Sequence, residues 1–171
     1  MLSVVIETEN DEEGLARTLA SLVPGAVEGI VREVIVCDRG SDDQTHRVAE
    51  IAGCHYLHEG GIAAAISRAR SEWLLMLEPG ARMLDGWNES VVLHIGRSTG
   101  AGRFVPARAA GKGYFLSRVL PSRRPLRDGL VITRRQAQAL AGRPGSDAVA
   151  IAKAAAPRRL TGEIMPAPRK R

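Results

Sequence analysis

Three short polar clusters follow apolar runs in this sequence: Thr8-Glu9-Asn10-Asp11 after "LSVVIE", Asp38-Arg39-Gly40-Ser41 after "EVIVC", and Glu78-Pro79-Gly80 after "WLLML". A carboxylate at the end of a buried strand can accept a hydrogen bond from a base edge or a ribose hydroxyl. A helix that starts nearby turns its unpaired backbone N–H groups toward an anion. An acid in a tight turn can also hold a hard divalent cation, which prefers oxygen ligands. Glu78 stands alone, however, with Pro79-Gly80 where a second acidic ligand would be needed. Glu-Pro-Gly is also good turn sequence in its own right.

Other reactive residue types carry weaker signals. Cys54, His55 and His58 have the composition of a metal site, but strand alternation points His55 away from Cys54. A buried cysteine beside surface histidines is the expected arrangement. Cys37 sits within an apolar run and is expected to be structural, with no features of a reactive thiol. The pairs Arg123-Arg124 and Arg158-Arg159 suit either phosphate steering or a solvated face.

The elements that position the clusters alternate. "LSVVIET" (2–8), "REVIVC" (32–37), "CHYLHE" (54–59) and "WLLML" (73–77) are short apolar runs of the kind buried in a parallel sheet. Between them, Leu15, Leu19, Leu22 and Val23 mark one face of a helix over 10–23. Val48, Ile51 and Ala52 mark another, and a third follows Gly60-Gly61. Asn10 with Glu13 and Ser41 with Gln44 have the spacing of capping boxes, and Pro24-Gly25 is expected to stop the first helix. Strand-helix alternation of this kind predicts βαβ units around a parallel sheet, with ligands beyond the strand C-termini where strand order reverses. Past a helix expected at 86–98 the pattern is looser. "GRFVPA", "KGYFLSRVL" and "DGLVIT" are candidate strands, and "RRQAQALAG" and "DAVAIAKAAA" candidate helices. The basic, Pro-flanked end "PAPRKR" reads as disordered tail.

At 171 residues the chain suits one domain, and with 4% aromatic residues its core must be built from Ala, Val, Leu and Ile. Two cysteines give no disulfide framework and no apolar run is long enough to span a bilayer. The first residues lack a signal peptide's basic region, so a cytoplasmic protein is expected, with peripheral membrane attachment as a variant. The net charge of +5 conceals a division: residues 1–96 carry 7 Lys+Arg and 16 Asp+Glu, residues 97–171 carry 17 and 3. The basic half suggests either an anionic partner, such as phosphate, an acidic lipid surface or nucleic acid, or arginines that merely occupy exposed positions. Nucleic acid is disfavoured, because the interleaved aromatics that stack on single strands are missing.

The clusters and their strands resemble the family 2 glycosyltransferases. The carriers are "LSVVIETENDEEGLARTLASL", "EVIVCDRGSDDQTHRVAE", "SEWLLMLEPGARMLDGW" and, more weakly, "RDGLVITRRQAQALAG". In the first two, Ser3, Val4, Val5, Ile6, Thr8, Asn10, Asp38, Gly40, Ser41, Asp43 and Thr45 match the family pattern. The resemblance implies an α/β fold of GT-A type, a Rossmann-like, mostly parallel sheet with helices on both faces. It implies one domain over 1–160, with residues 1–98 binding nucleotide, 99–160 forming a basic acceptor side, and 161–171 a tail. The activity implied is sugar transfer from a nucleotide sugar, a UDP-sugar, to a hydroxyl acceptor with inversion. Thr8, Asp11 and Asp38 would bind the nucleotide, and Asp147 would be the general base.

A divalent cation, Mn²⁺ or Mg²⁺, would bridge the diphosphate and neutralise the leaving group. The sequence departs from the family where that cation should sit. Glu78-Pro79-Gly80 lies over the D-x-D motif and keeps only its first carboxylate, so Glu78 would hold a metal weakly and only with nucleotide bound. Glu7 replaces a proline, and Ala63 falls near a usual asparagine. The missing ligand leaves a second reading, a non-catalytic GT-A-like domain that binds nucleotide or regulates.

Overall fold

The computed structural model describes residues 1–107, 124–143 and 145–168. The first half follows the expected alternation: β1 (Leu2–Thr8), α1 (Glu12–Val27), β2 (Val31–Asp38), α2 (Thr45–Ile51), β3 (His55–Leu57), α3 (Gly61–Arg68) and β4 (Trp73–Leu77). A two-residue strand β5 (Arg82–Met83) and helix α4 (Trp87–Arg97) follow. The second half supplies β6 (Gly102–Pro106), β7 (Leu130–Thr133), α5 (Arg134–Ala141), α6 (Ala148–Ala154) and β8 (Arg158–Met165). The candidate strand "KGYFLSRVL" lies outside the described residues, and so do 169–171 of the expected tail. The tail boundary expected at 161 falls inside β8.

The eight strands of the described residues join one sheet in the order β3-β2-β1-β4-β7-β6-β8-β5. Strands β1 to β4 are mutually parallel, β7 runs antiparallel between β4 and β6, and β6 is parallel to β8. The chain winds outward from β1 through β2 to β3, then crosses back to lay β4 on the other side of β1. The strand order therefore reverses between β1 and β4, and their C-terminal ends open a crevice there.

Alternation along the central strands gives each face its own core. Val4, Ile6, Leu75 and Leu77 face Leu15 and Leu22 of α1 and Trp87 and Val91 of α4. Val5, Leu74 and Met76 face Ile62 and Ile66 of α3, Ala137 of α5 and Ile151 of α6. The α/β fold with helices on both faces is thus the one observed. No helix among the described residues is long and apolar enough to cross a membrane.

Helix α1 continues a turn beyond Pro24 rather than stopping there. Its end is set at Gly29, where φ of +71° provides the left-handed residue that closes many helices. Gly25 is needed for packing instead: a Cβ there would stand 2.4 Å from the buried Trp87 ring. Gly25→Ala is expected to destabilise the fold by about 1–3 kcal/mol as α1 and α4 are forced apart. A denaturant midpoint equal to wild type would disprove that contact.

Candidate functional site

The loops after β1 and β2 are laced together. Asn10, in the left-handed region at φ +47°, donates its N–H to Ser41 Oγ (2.8 Å) and accepts from Asp42 N at Oδ1 (2.9 Å). Asp43 Oδ2 accepts from Glu12 N (3.2 Å), and Glu12 Oε2 accepts from Gln44 N (2.8 Å). These bonds replace both expected capping boxes. Asp11, one residue later than predicted, caps α1 by accepting from Gly14 N at 3.1 Å. Ser41 does not cap α2, because its hydroxyl is taken by Asp38 and Asn10. Asp43 Oδ1 accepts from Thr45 N instead (2.9 Å).

Asp38 ends β2 in register with Thr8, on adjacent strands as expected. Its carboxylate turns back into its own loop, accepting from Ser41 N (2.8 Å), Gly40 N (3.1 Å) and the Ser41 hydroxyl. Tyr56 on β3 adds a further hydrogen bond. Burial pushes the Asp38 pKa up, but the bonds from Ser41, Tyr56 and Gly40 outweigh it and hold the carboxyl below its ordinary range. Asp43 behaves alike, its burial outweighed by bonds from Thr45 and Glu12.

Across the crevice, residues 78–81 form a type II turn. Ala81 N donates to Glu78 O at 3.1 Å, Pro79 fixes φ, and Gly80 takes the positive value of +90°. Gly80 N is anchored on Thr18 Oγ1 and Gly14 O of α1, both at 2.9 Å. The turn reading of Glu-Pro-Gly is therefore met in full.

A cleft of about 680 Å³ opens between these loops, with Glu7, Thr8, Asp11, Glu78, Gly80 and Arg124 in its walls. Thr8 is 2% exposed, and its Oγ1 finds no hydrogen-bond partner among the described residues. Glu78 is ion-paired with Arg124 Nη2, and Arg124 Nη1 donates to Ala167 O at 3.1 Å. Asp147 caps α6 by accepting from Ala150 N at 2.6 Å, while Glu7 Oε2 accepts from Ala148 N at 3.0 Å. Two carboxylates thus converge on the start of α6, beside Ala148 and Val149, which line the cleft. The structure brings Thr8, Asp11 and Glu78 to one cavity and leaves Asp38 and Asp147 just behind its walls.

The family model for glycosyl transferase family 2 matches residues 3–149. The chain belongs to that family. Comparison of the chain with curated proteins gives no match. Among solved structures it resembles glucosyl-3-phosphoglycerate synthase from Mycobacterium tuberculosis. With the form bound to phosphoglyceric acid the TM-score is 0.65 at 15% identity, over 100% of this chain and 72% of that one. With the form bound to Mn²⁺, UDP and glucosyl-3-phosphoglycerate it is 0.63 at 17%, with the same coverage. A mycobacterial protein gives 0.66 at 17%, over 99% of this chain and 68% of that one. At such identities the likeness shows the fold, and it is the GT-A type.

Of the two carboxylates that the family's D-x-D motif would offer a divalent cation, the residues present supply one, Glu78. Glu78 is the one carboxylate in the turn and already carries a guanidinium. A Cβ at residue 80 would stand 3.3 Å from Ala167 Cβ and from Pro168 Cδ, a tight contact at a backbone φ of +90° that disfavours any side chain there. Among the described residues no group of three His, Cys, Asp or Glu could hold a metal. His55 instead lies 3.5 Å from Glu33, and His58 packs against Tyr56. Cys37 and Cys54 are free, and burial pushes both thiols up to about 11, which keeps them unreactive. Sequence reasoning had no means to see the Ala167-Pro168 contact or the Glu78–Arg124 pair, since both join residues more than 40 positions apart.

Proposed function

We propose that this protein transfers a sugar from a UDP-sugar to a hydroxyl acceptor, binding the donor in the cleft between the ends of β1 and β4. The carrying observation is Thr8, a buried hydroxyl without a partner in the wall of that cleft, at the switch point. Buried polar groups are rarely left unpaired, so an orphaned hydroxyl on a residue that lines the cleft supports a ligand there that supplies the bond. Family membership and structural neighbours that bind UDP support the donor class. Residues 1–98 would hold the nucleoside, with Thr8 and Asp11 as contacts and Asp38 fixing the loop behind them. Residues 99–160 would form the basic acceptor side, suited to a phosphorylated acceptor or one at an anionic membrane surface.

In the proposed reaction the acceptor oxygen bonds to the sugar C1 as the C1–O bond to the diphosphate breaks. The bonding pair leaves on the β-phosphate, and the acceptor proton passes to Asp147. A single displacement of this kind inverts the anomeric centre. Thr8→Val tests the donor reading, because valine keeps the shape and removes the hydroxyl. Titration calorimetry should show UDP affinity reduced about three- to tenfold, the scale of one hydrogen bond. Thermal stability should be unchanged, since no bond within the described chain is lost. Wild-type protein that binds UDP but turns over no UDP-sugar would favour the non-catalytic nucleotide-binding module.

A further inference from the structure

The positive charge that a diphosphate requires is present here as a side chain. Glu78, at the end of β4, has a 15% exposed side chain, and Arg124 beside it is 33% exposed in the cleft wall. Glu78 grips one terminal nitrogen of the guanidinium and the Ala167 carbonyl takes the other. The same segment, Ala167-Pro168, crowds the position from which a second acidic ligand at residue 80 would project. It thus disfavours that ligand and seats the arginine.

Resting on the donor reading above, we propose that Arg124 is the cation that meets the donor's diphosphate, and that nucleoside diphosphate binding here needs no divalent ion. A guanidinium is permanently charged and carries five N–H donors, so holding Glu78 and Ala167 does not exhaust what it can offer a phosphate oxygen. It is prepositioned, so it offsets the charge that builds on the β-phosphate as the C1–O bond breaks without reorganising at that moment. Glu78 is a positioning residue in this scheme: it orients the arginine and does not touch the substrate. The binding of anion to a wall that also holds Glu7, Asp11 and Glu78 is confined to the Arg124 side, which places the diphosphate next to the 78–81 turn.

The test is calorimetric titration of the full chain with UDP and with uridine, each in EDTA and in MnCl₂. UDP is expected to bind in EDTA, with Mn²⁺ changing its affinity less than about threefold. Arg124→Gln should weaken UDP about ten- to a hundredfold, the range for hydrogen bonds to charged groups, and leave uridine unaffected. Glu78→Gln should bind UDP equally with and without Mn²⁺, a result that stands even if the arginine variant fails to fold. The inference is overturned if wild type binds UDP only with Mn²⁺, if Glu78→Gln loses a Mn²⁺-dependent part of its affinity, or if Arg124→Gln weakens uridine as much as UDP. Each of those outcomes leaves the donor reading in place. Absence of UDP binding under both conditions refutes the donor reading and takes this inference with it.

Discussion

Asp147→Asn is expected to slow sugar transfer about 10²–10⁴-fold, the usual loss when a general base is removed. Stability and UDP affinity should scarcely move. Asparagine caps helices as well as aspartate, so the bond from Ala150 N to residue 147 survives and α6 keeps its start. The neighbouring Glu7 provides the control. Glu7→Gln keeps an oxygen for Ala148 N–H but loses its charge, and its rate should stay within a few-fold of wild type. Initial rates of UDP release from a panel of UDP-sugars would measure both. A collapse in the Glu7 variant with the Asp147 variant intact would move the base onto Glu7, the carboxylate that lines the cleft itself.

Asp38→Ala is expected to cost about 3 kcal/mol of stability and to weaken nucleotide binding as well. The substitution removes the bonds from Gly40 N–H, Ser41 N–H and the hydroxyls of Ser41 and Tyr56, and a hydrogen bond to a charged group is worth about 1.5–3 kcal/mol. Exposure of the relaxed loop to water recovers part of that sum. Because Ser41 Oγ also receives Asn10 N–H, the loosened loop loses one of the bonds that hold the segment carrying Thr8 and Asp11. Urea denaturation would give the stability change, and a loss under about 1 kcal/mol would mean the loop is held by other bonds. The pH dependence follows from the same carboxyl. Asp38 and Asp43 both titrate below their ordinary values when folded, so their stabilisation is complete above about pH 4 and is lost as pH falls through the folded-state values. Asp38→Asn should flatten the acid limb of the stability curve.

Most of the first half could be read from period and spacing. β4 was expected over 73–77 and spans Trp73–Leu77, because an unbroken apolar run bounded by polar residues leaves little choice for a buried central strand. The caps were misplaced by a residue or more because side chains equally able to cap were claimed by partners about 30 positions away. β8 was overlooked although Leu160, Gly162 and Ile164 alternate with exposed neighbours; its arginines resemble a tail until the partner strand is known. At the site, the loss of the second D-x-D carboxylate was visible in Gly80. What replaces it was not, because ion pairing between Glu78 and Arg124 depends on a fold that brings β4 and the segment before β7 together.

The position of β4 in the sheet bears on how the chain is made. Its partner on one side, β1, precedes it by about seventy residues, whereas its partner on the other, β7, ends at Thr133. During synthesis β4, a strand buried along its whole length, is therefore an open edge until that segment leaves the ribosome, and β6 then waits for β8 at Arg158–Met165. At about 5–20 residues per second, the roughly 56 residues between Leu77 and Thr133 leave that edge unpaired for some 3–11 seconds. An exposed apolar edge is a template for pairing with other chains. The nascent first half is thus the state of this protein most in need of a chaperone, and chains truncated before β7 should be recovered as aggregates.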